Sequence, residues 1–176
     1  MARRILVVGL GRFGAALAES LARAGCEVVA VDNDMAHIEA IKNKVAYALE
    51  LDATDPAALR SIDVHTCHAA VVAVGENFEG AVLTVAALRE LGVQHVIARA
   101  ITSRHGRILT AAGASRIVEI ESEMGRALGR ELAGGADLAT QATAAMLTAQ
   151  TMGSGVPPIG PGGPPSGGGL PPGYGR

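Results

Sequence analysis

Three glycines stand close together near the start of the chain, in the segment GLGRFG from Gly9 to Gly14. Each position favours a residue without a side chain: Gly9 permits a sharp turn, and Gly11 lets a diphosphate approach the backbone. Gly14 lets the following helix pack closely on a strand. The free N–H groups at the start of that helix would point at the phosphates. The spacing therefore predicts a phosphate-binding loop.

An acid lies where a ribose-binding carboxylate is expected, about 20 residues beyond such glycines. It is Asp32, directly after the apolar run Val28 to Val31. A carboxylate at the end of a second strand can accept hydrogen bonds from two ribose hydroxyls and repels a 2′-phosphate. The alternative is that Asp32 only caps the next turn and that the glycine turn binds nothing.

A cation stands inside the glycine loop. Arg12 would lie beside the helix N–H donors, where its planar guanidinium suits a phosphate. The alternative is a solvated surface arginine. With Asp32, these residues predict a nucleotide site whose ligand carries phosphates and a free ribose.

The elements that must position these residues alternate regularly along the chain. Short apolar runs typical of strands buried on both faces are followed by amphipathic segments, which gives six βα repeats. This order predicts an α/β fold, a doubly wound parallel six-stranded Rossmann-like sheet. The predicted strands are Ile5 to Val8, Val28 to Val31, Ala46 to Leu51, Ala69 to Val74, Gln94 to Ala98 and Arg116 to Ile120.

Several residues predict where helices begin, end and pack. The first amphipathic segment runs from Ala15 to Ala24. Its helix carries Phe13, Leu17 and Leu21 as one apolar stripe that should face the sheet, and Gly25 should end the helix. Asp34 should cap the second helix, and Asp55 with Pro56 should begin the third.

The last predicted helix, which begins at Glu121, has an apolar stripe but follows the sixth strand of an already complete sheet. Met124, Leu128 and Leu132 recur at helical spacing after the sixth strand. A partner subunit is a candidate to cover them, so we expect a homodimer.

Composition excludes several classes of protein. The 176 residues carry 15 basic and 17 acidic side chains, a net charge of −2 without the basic surplus that nucleic-acid binding needs. Apolar runs are far shorter than the roughly 18 residues that cross a bilayer. Cys26 and Cys67 lack metal or redox spacing. The basic start Met1 to Arg4 is followed by only the short run Ile5 to Val8 before the glycine turn, which predicts no signal peptide.

The sequence divides into two parts of different composition. Residues 1–133 should form one nucleotide-binding domain. In residues 134–176, Ala136 to Thr151 could form a weak helix, and the Gly, Pro and Ser residues from Met152 onward predict a disordered tail.

Five motifs in order resemble a known family: GLGRFG, VDND with Asp32, DATD from Asp52, AVVAVGEN ending at Asn77, and IESEMG from Ile120. From about Arg4 to Leu132 the chain is similar to the N-terminal (TrkA-N) domain of RCK/KTN proteins. These proteins regulate potassium conductance in Trk and Ktr type uptake systems. In that family the last helix crosses over to a neighbouring subunit.

The resemblance implies roles for individual residues. Asp32 would hold the ribose hydroxyls, and Asp52 and Ala53 would border the adenine. The backbone from Gly11 to Phe13 would receive phosphates. The cofactor-binding set that the motifs imply is Gly9, Gly11, Arg12, Phe13, Gly14, Asp32, Asn33, Asp52, Ala53, Ala73, Gly75 and Arg99.

Two of the implied charges have structural alternatives. Arg99 would be a second phosphate cation, or else a structural charge at a strand end. Glu121 would help hold a divalent metal cation at the triphosphate end, across a dimer contact, or else be an acid favoured by the helix macrodipole.

The function implied is that of a nucleotide-binding regulatory (gating) subunit of a potassium channel or transporter, and not of an enzyme. Its ligand would be ATP, ADP or NAD(H), which the sequence does not distinguish. Its partners would be a membrane potassium-translocating subunit and further copies, as a homodimer or higher ring, at the cytoplasmic face of the cell membrane. A small NAD-dependent oxidoreductase or epimerase-like domain and a dimerising remnant without ligand are the alternatives. The family normally continues into a second RCK domain, where this sequence has its Gly/Pro-rich tail.

Overall fold

A computed structural model describes residues 2–133 of the chain. The weak helix and the disordered tail predicted for residues 134–176 lie outside the described residues. No helix among residues 2–133 has the length and apolar character needed to cross a membrane.

The described chain forms one parallel sheet of six strands flanked by helices, which confirms the predicted α/β class. The strands are β1 Arg4–Val8, β2 Glu27–Asp32, β3 Tyr47–Glu50, β4 Ala69–Val72, β5 Val96–Arg99 and β6 Arg116–Val118. The helices are α1 Arg12–Arg23, α2 Met35–Ile41, α3 Pro56–Ser61, α4 Phe78–Glu90, α5 Ser103–Ala111 and α6 Ile120–Ala133, with a 3-10 turn at Val64–Thr66.

The strand order creates a crevice beside β1. The order across the sheet is β3-β2-β1-β4-β5-β6, so the chain runs outward from β1 to one edge and then returns to build the other half. Helix α1, which follows β1, lies on one face of the sheet, and α4, which follows the neighbouring strand β4, lies on the other face. Ligands of open parallel sheets bind outside the carboxyl ends of the strands at such a reversal.

Alternating residues of the central strands enter two separate cores. Leu6 of β1 and Val29 of β2 pack on one face with Val85 and Leu88 of α4. The intervening strand residues pack on the other face with Ala18, Ile38 and Ile41 of α1 and α2. This alternation is the period-two pattern of a strand, and the two covered faces explain why the runs are apolar throughout.

Helix α1 packs on the sheet through smaller residues than predicted. The structure buries Gly14 and Ala18, whereas Phe13, Leu17 and Leu21 are only half-buried. A Cβ atom at Gly14 would lie 1.8 Å from the Gly9 carbonyl oxygen. The helix therefore approaches so closely that glycine and alanine face the sheet, and Leu21 of the predicted stripe packs at the edge of the same core.

The predicted helix ends agree with the structure. Gly25 has a φ of +83° directly after the α1 C-cap. Asp34 accepts a hydrogen bond from the Ala36 N–H at 2.8 Å, and Asp55 accepts one from the Ala57 N–H at 2.8 Å. Each carboxylate satisfies an N–H that the first turn leaves unpaired.

Several element bounds differ from the prediction, and some of the differences lie beside the crevice. Helix α1 begins at Arg12 instead of Ala15, and β4 ends at Val72 instead of Val74. Strand β6 ends at Val118, and α6 begins at Ile120. Ala73 and Val74, predicted to end β4, are therefore loop residues that line the cleft, whereas β2 and β5 extend one residue further than predicted, to Asp32 and Arg99.

The apolar stripe of α6 is exposed. Met124, Leu128 and Leu132 have relative exposures of 64%, 49% and 59%. No residue of the described part of α6 is buried. The homodimer and the crossover of this helix remain predictions.

Candidate functional site

A large cleft lies at the carboxyl ends of the central strands. Its volume is about 1060 Å³, just above the range of roughly 300–1,000 Å³ that is typical of small-molecule sites. Its wall is formed by the loops after β1, β2, β3, β4 and β5 and by the start of α6. This is the crevice that the strand order predicts.

The cleft brings together residues that are far apart in the sequence. All of the residues predicted to bind the cofactor line it except Gly14, and so does Glu121. Gly14 lies behind the lining, where it packs on the Gly9 carbonyl. The lining residues from the predicted sets are Gly9, Gly11, Arg12, Phe13, Asp32, Asn33, Asp52, Ala53, Ala73, Gly75, Arg99 and Glu121.

The three glycines of the first loop differ in what surrounds them. Gly9 has a φ of +88°, which L residues rarely adopt, and a Cβ there would also meet Val74. A Cβ at Gly14 would clash with Gly9. A Cβ at Gly11 would meet no atom within 4 Å. Packing therefore requires glycine at two positions, while at Gly11 the space is open to a ligand.

The start of α1 offers free N–H groups to the cleft. Its N-cap is Gly11, and no side chain caps it. Helices α2, α3, α4 and α5 each begin instead with a capping side chain. The α1 terminus thus keeps both unpaired donors and the positive end of its macrodipole, the arrangement that binds phosphates at helix N-termini.

The Asp32 carboxylate is fixed by hydrogen bonds from two backbone groups. Oδ2 accepts from the Leu10 N–H at 2.6 Å, and Oδ1 accepts from the Asp34 N–H at 2.9 Å. The first contact ties the end of β2 to the glycine loop that follows the neighbouring strand β1. The second is the turn contact that the alternative interpretation expected, so Asp32 stabilises the turn and also faces the crevice.

Asp52 lies in the turn after β3 and is held by Thr54. Its Oδ1 accepts from the Thr54 hydroxyl at 2.7 Å and from the Thr54 N–H at 2.9 Å. The hydroxyl first and then the N–H lower the pKa of Asp52 below its ordinary value. The carboxylate is therefore charged and oriented at the side of the cleft where Ala53 lies.

Arg99 and Glu121 form the wall on the β5 side. Arg99 Nη2 lies 2.5 Å from Glu121 Oε1, and the Arg99 Nη1 atom lies 2.8 Å from the place of a Gly75 Cβ. The pKa of Glu121 is lowered by its own backbone N–H and then by Arg99. Gly75 thus leaves room for a guanidinium that reaches along the cleft.

Two arginines of the cleft have donors that an anionic ligand could pair with. The Arg99 Nε atom is buried and lacks a hydrogen-bond partner within the described residues. Buried donors are nearly always paired, so this one calls for an acceptor. Arg12 also lines the cleft, is exposed, and forms no ion pair within residues 2–133.

The predicted metal ligand has no protein cluster around it. Within residues 2–133, no group of three or more His, Cys, Asp or Glu side chains is placed to hold a metal ion. Glu121 contacts Arg99 in this chain. Its predicted role therefore requires further ligands from a nucleotide phosphate or another subunit, and it stays a prediction.

Sequence reasoning missed some of the lining. His37 borders the cleft and lies 3.1 Å from Asp32, between Nδ1 and Oδ2. Thr84 is a buried polar residue of α4 that also lines it. His37 could have been found, because it follows the ribose-type acid by five residues on the first turn of a capped helix. Thr84 gave no comparable signal.

Comparison with known proteins identifies the family. The family model of the TrkA-N domain matches residues 5–120, which is more than half of the chain. The chain belongs to the TrkA-N domain family. The resemblance inferred from the sequence motifs is therefore confirmed.

Two similar relatives of this TrkA-N chain come from Bacillus subtilis. The Ktr system potassium uptake protein C is 31% identical over 132 residues, 75% of this chain and 60% of the relative. The Ktr system potassium uptake protein A is 32% identical over 130 residues, 74% of this chain and 59% of the relative. The match thus spans about three fifths of the length of these relatives.

Solved structures share the fold of this TrkA-N chain. The TrkA-N domain of the inner membrane protein ybaL from Escherichia coli superposes with a TM-score of 0.67 at 22% identity, over 75% of this chain and 98% of that one. The NAD(P)-binding domain of an exopolyphosphatase-related protein from Archaeoglobus fulgidus gives 0.66 at 25% identity, over 74% and 97%. The Kef C-terminal domain from Shewanella denitrificans, in an AMP-bound form, gives 0.58 at 25% identity, over 85% and 92%.

Proposed function

We propose that this chain is a nucleotide-binding regulatory subunit of a potassium channel or transporter. The observation that carries the proposal is the cleft itself, in which an uncapped helix N-terminus and the Asp32 carboxylate face one crevice. An adenine nucleotide or NAD(H) presents to it the two groups that these features bind, phosphates and a ribose.

Each part of the ligand has a matching part of the cleft. Phosphates lie on the N–H groups that follow Gly11, with Arg12 and Arg99 of the cleft lining as cations. The ribose lies at Asp32, and the adenine lies between that residue and the Asp52–Ala53 turn. The AMP-bound and NAD(P)-binding relatives in fold support this class of ligand.

The potassium part of the proposal is supported by the relatives. Both Bacillus proteins are named as potassium uptake proteins of the Ktr system. Regulation needs no covalent chemistry, since a ligand that binds one arrangement of paired domains better than another shifts the equilibrium toward it. The paired arrangement uses the apolar stripe of α6, which packs against a second copy.

Calorimetry on the full chain tests this function. We expect ATP, ADP, NAD or NADH to bind without turnover, and a titration with Mg²⁺ to show whether the triphosphate end takes a cation. Potassium flux through the translocating subunit in vesicles should then change with the ligand that binds. Hydride transfer from NADH to a substrate would instead identify an oxidoreductase, and absence of binding to all four ligands would reject the proposal.

A further inference from the structure

The Asp32 carboxylate has a third hydrogen-bonding neighbour besides its two backbone donors. His37 Nδ1 lies 3.1 Å from Oδ2, the same oxygen that accepts from the Leu10 N–H at 2.6 Å. An ionised carboxylate accepts only, so this contact requires a hydrogen on Nδ1. Oδ1 accepts from the Asp34 N–H at 2.9 Å.

Counting acceptor sites shows how little of Asp32 is left for a ligand. A carboxylate offers about four lone-pair positions, two on each oxygen. Leu10 and His37 occupy both positions on Oδ2, and Asp34 occupies one on Oδ1. A ribose diol that donates one hydrogen bond to each oxygen therefore finds an acceptor position on Oδ1 only.

The three donors differ in whether they can leave. The Leu10 and Asp34 donors are backbone amides, fixed by the glycine loop and by the turn into α2. His37 is a side chain on the first turn of α2, 45% exposed, whereas the Asp32 side chain is 9% exposed. Rotation of one imidazole toward solvent frees the second position on Oδ2 without moving the backbone.

We propose that His37 is a specificity-determining residue of the ribose subsite, and that a nucleotide diol binds Asp32 by displacing the His37 imidazole. This inference rests on the proposed nucleotide-binding function. His37 lowers the affinity for ligands with both hydroxyls, because the second hydroxyl replaces an existing hydrogen bond. A ligand that lacks that hydroxyl leaves the His37–Asp32 hydrogen bond intact, so His37 does not lower the affinity for that ligand.

Removal of the imidazole donor tests the inference. The full chain and its variants H37A and H37F are titrated with ADP, 2′-deoxy-ADP and 3′-deoxy-ADP by calorimetry. We expect both variants to bind ADP about 3- to 10-fold more tightly than the unaltered chain, the usual net contribution of one hydrogen bond. The gain should disappear for at least one of the deoxy ligands. H65A, which removes an exposed histidine outside the cleft lining, is the matched control and should leave every affinity unchanged.

The outcomes separate the two levels of the proposal. If the unaltered chain binds none of ATP, ADP, NAD and NADH, the nucleotide function and this inference are both rejected. If it binds ADP but H37A and H37F weaken binding, or change all three ADP ligands equally, only the role of His37 is overturned. A gain in H37A without one in H37F would assign the effect to ring volume and would also overturn it. Independently, the NMR signal of the His37 Nδ1 hydrogen should lose its hydrogen-bonded shift when ADP is added.

Discussion

The Arg99 guanidinium and the Glu121 carboxylate are paired inside the cleft, with Nη2 and Oε1 2.5 Å apart. The cation comes from the end of β5 and the anion from the first turn of α6. A ligand phosphate that binds Arg99 through Nη2 must therefore share or replace the contact with Glu121. This relationship connects the end of the cleft that we propose to bind phosphates with the helix whose apolar stripe is exposed.

Neutralising Glu121 should strengthen phosphate binding when no metal is present. In E121Q, Arg99 no longer has a carboxylate competing for it, so we expect ADP to bind several-fold more tightly in chelator-treated buffer. If Glu121 also holds a divalent cation, the effect of the substitution should reverse when Mg²⁺ is added. E121Q should then bind ADP more weakly than the unaltered chain does. Calorimetry with and without Mg²⁺ measures both effects.

The neighbouring acid Glu123 offers a control for that experiment. It lies on the same turn of α6, accepts a hydrogen bond from the Glu119 N–H at 3.2 Å, and is not part of the cleft lining. E123Q keeps an acceptor for that N–H and should leave ADP affinity unchanged. Equal effects of E121Q and E123Q would mean that only the charge of the helix start matters.

Two glycine substitutions should separate ligand binding from folding. G11A places a methyl group where no protein atom lies within 4 Å, so we expect a change in the free energy of unfolding of at most about 0.5 kcal/mol. Its methyl group faces the phosphates, and ADP affinity should fall about tenfold or more. Urea unfolding and calorimetry on one preparation measure the two quantities.

G14A should show the opposite behaviour. Its Cβ would lie 1.8 Å from the Gly9 carbonyl oxygen, so α1 must move away from the sheet. We expect a loss of unfolding free energy of about 1–3 kcal/mol, the usual cost of overpacking. A G14A protein as stable as the unaltered chain would contradict the observed closeness of helix and strand.

Asp32 should contribute to both stability and binding. In D32A the Leu10 N–H loses its acceptor, and since Leu10 is 3% exposed we expect a cost of about 1–3 kcal/mol in unfolding free energy. Affinity for ligands with a ribose should fall about 10- to 100-fold. D32N keeps one oxygen acceptor and should recover part of the stability but little of the binding.

The control for Asp32 is its neighbour in the sheet. Glu50 of β3 is the register partner of Asp32, is exposed, and lies outside the cleft lining. E50Q should therefore change neither quantity. A nucleotide affinity unaffected by D32A, in a chain that remains folded, would remove Asp32 from the site.

The stability of the fold at acid pH should depend on Thr54. Because the pKa of Asp52 is lowered in the folded chain, its charged form contributes stability above its ordinary pKa of 3.8, and this contribution is lost as the pH falls through the lower folded value. T54V removes the hydroxyl donor, which is the largest cause of the shift. We expect the Asp52 pKa to rise toward its ordinary value and the loss of stability on acidification to become shallower. Carbon-detected NMR titration of the carboxyl group measures the pKa, and an unchanged Asp52 titration in T54V would contradict the assignment.

The exposed stripe of α6 should determine the oligomeric state. L128K puts a charge between Met124 and Leu132 in the stripe, so we expect it to dissociate the proposed dimer. Light scattering measures the change in mass. A127K introduces the same charge at an exposed neighbouring position outside the stripe and should leave the dimer intact. An unaltered chain that stays monomeric at high concentration, with and without nucleotide, would contradict dimerisation.

Much of the site follows from patterns that are local in the sequence. The turn at Gly9, the caps at Asp34 and Asp55, and the end of α1 at Gly25 depend on backbone conformation and on hydrogen bonds within a few residues. Parallel strands then carry the loops after β1, β2, β4 and β5 to one edge of the sheet. Sequence reasoning therefore predicted about half of the residues that line the cleft.

The sequence by itself determined the succession of strands and helices and the kinds of residue at the strand ends, because period and turn chemistry are local properties. Only the tertiary structure decided which groups meet: the Leu10 N–H with Asp32, His37 with the same carboxylate, and Arg99 with Glu121. It also decided which side of α1 is buried, since that depends on the distance between Gly14 and the Gly9 carbonyl oxygen. Such contacts depend on how the elements pack. Packing depends on the volumes and directions of side chains from several elements at once, so no short stretch of sequence determines it.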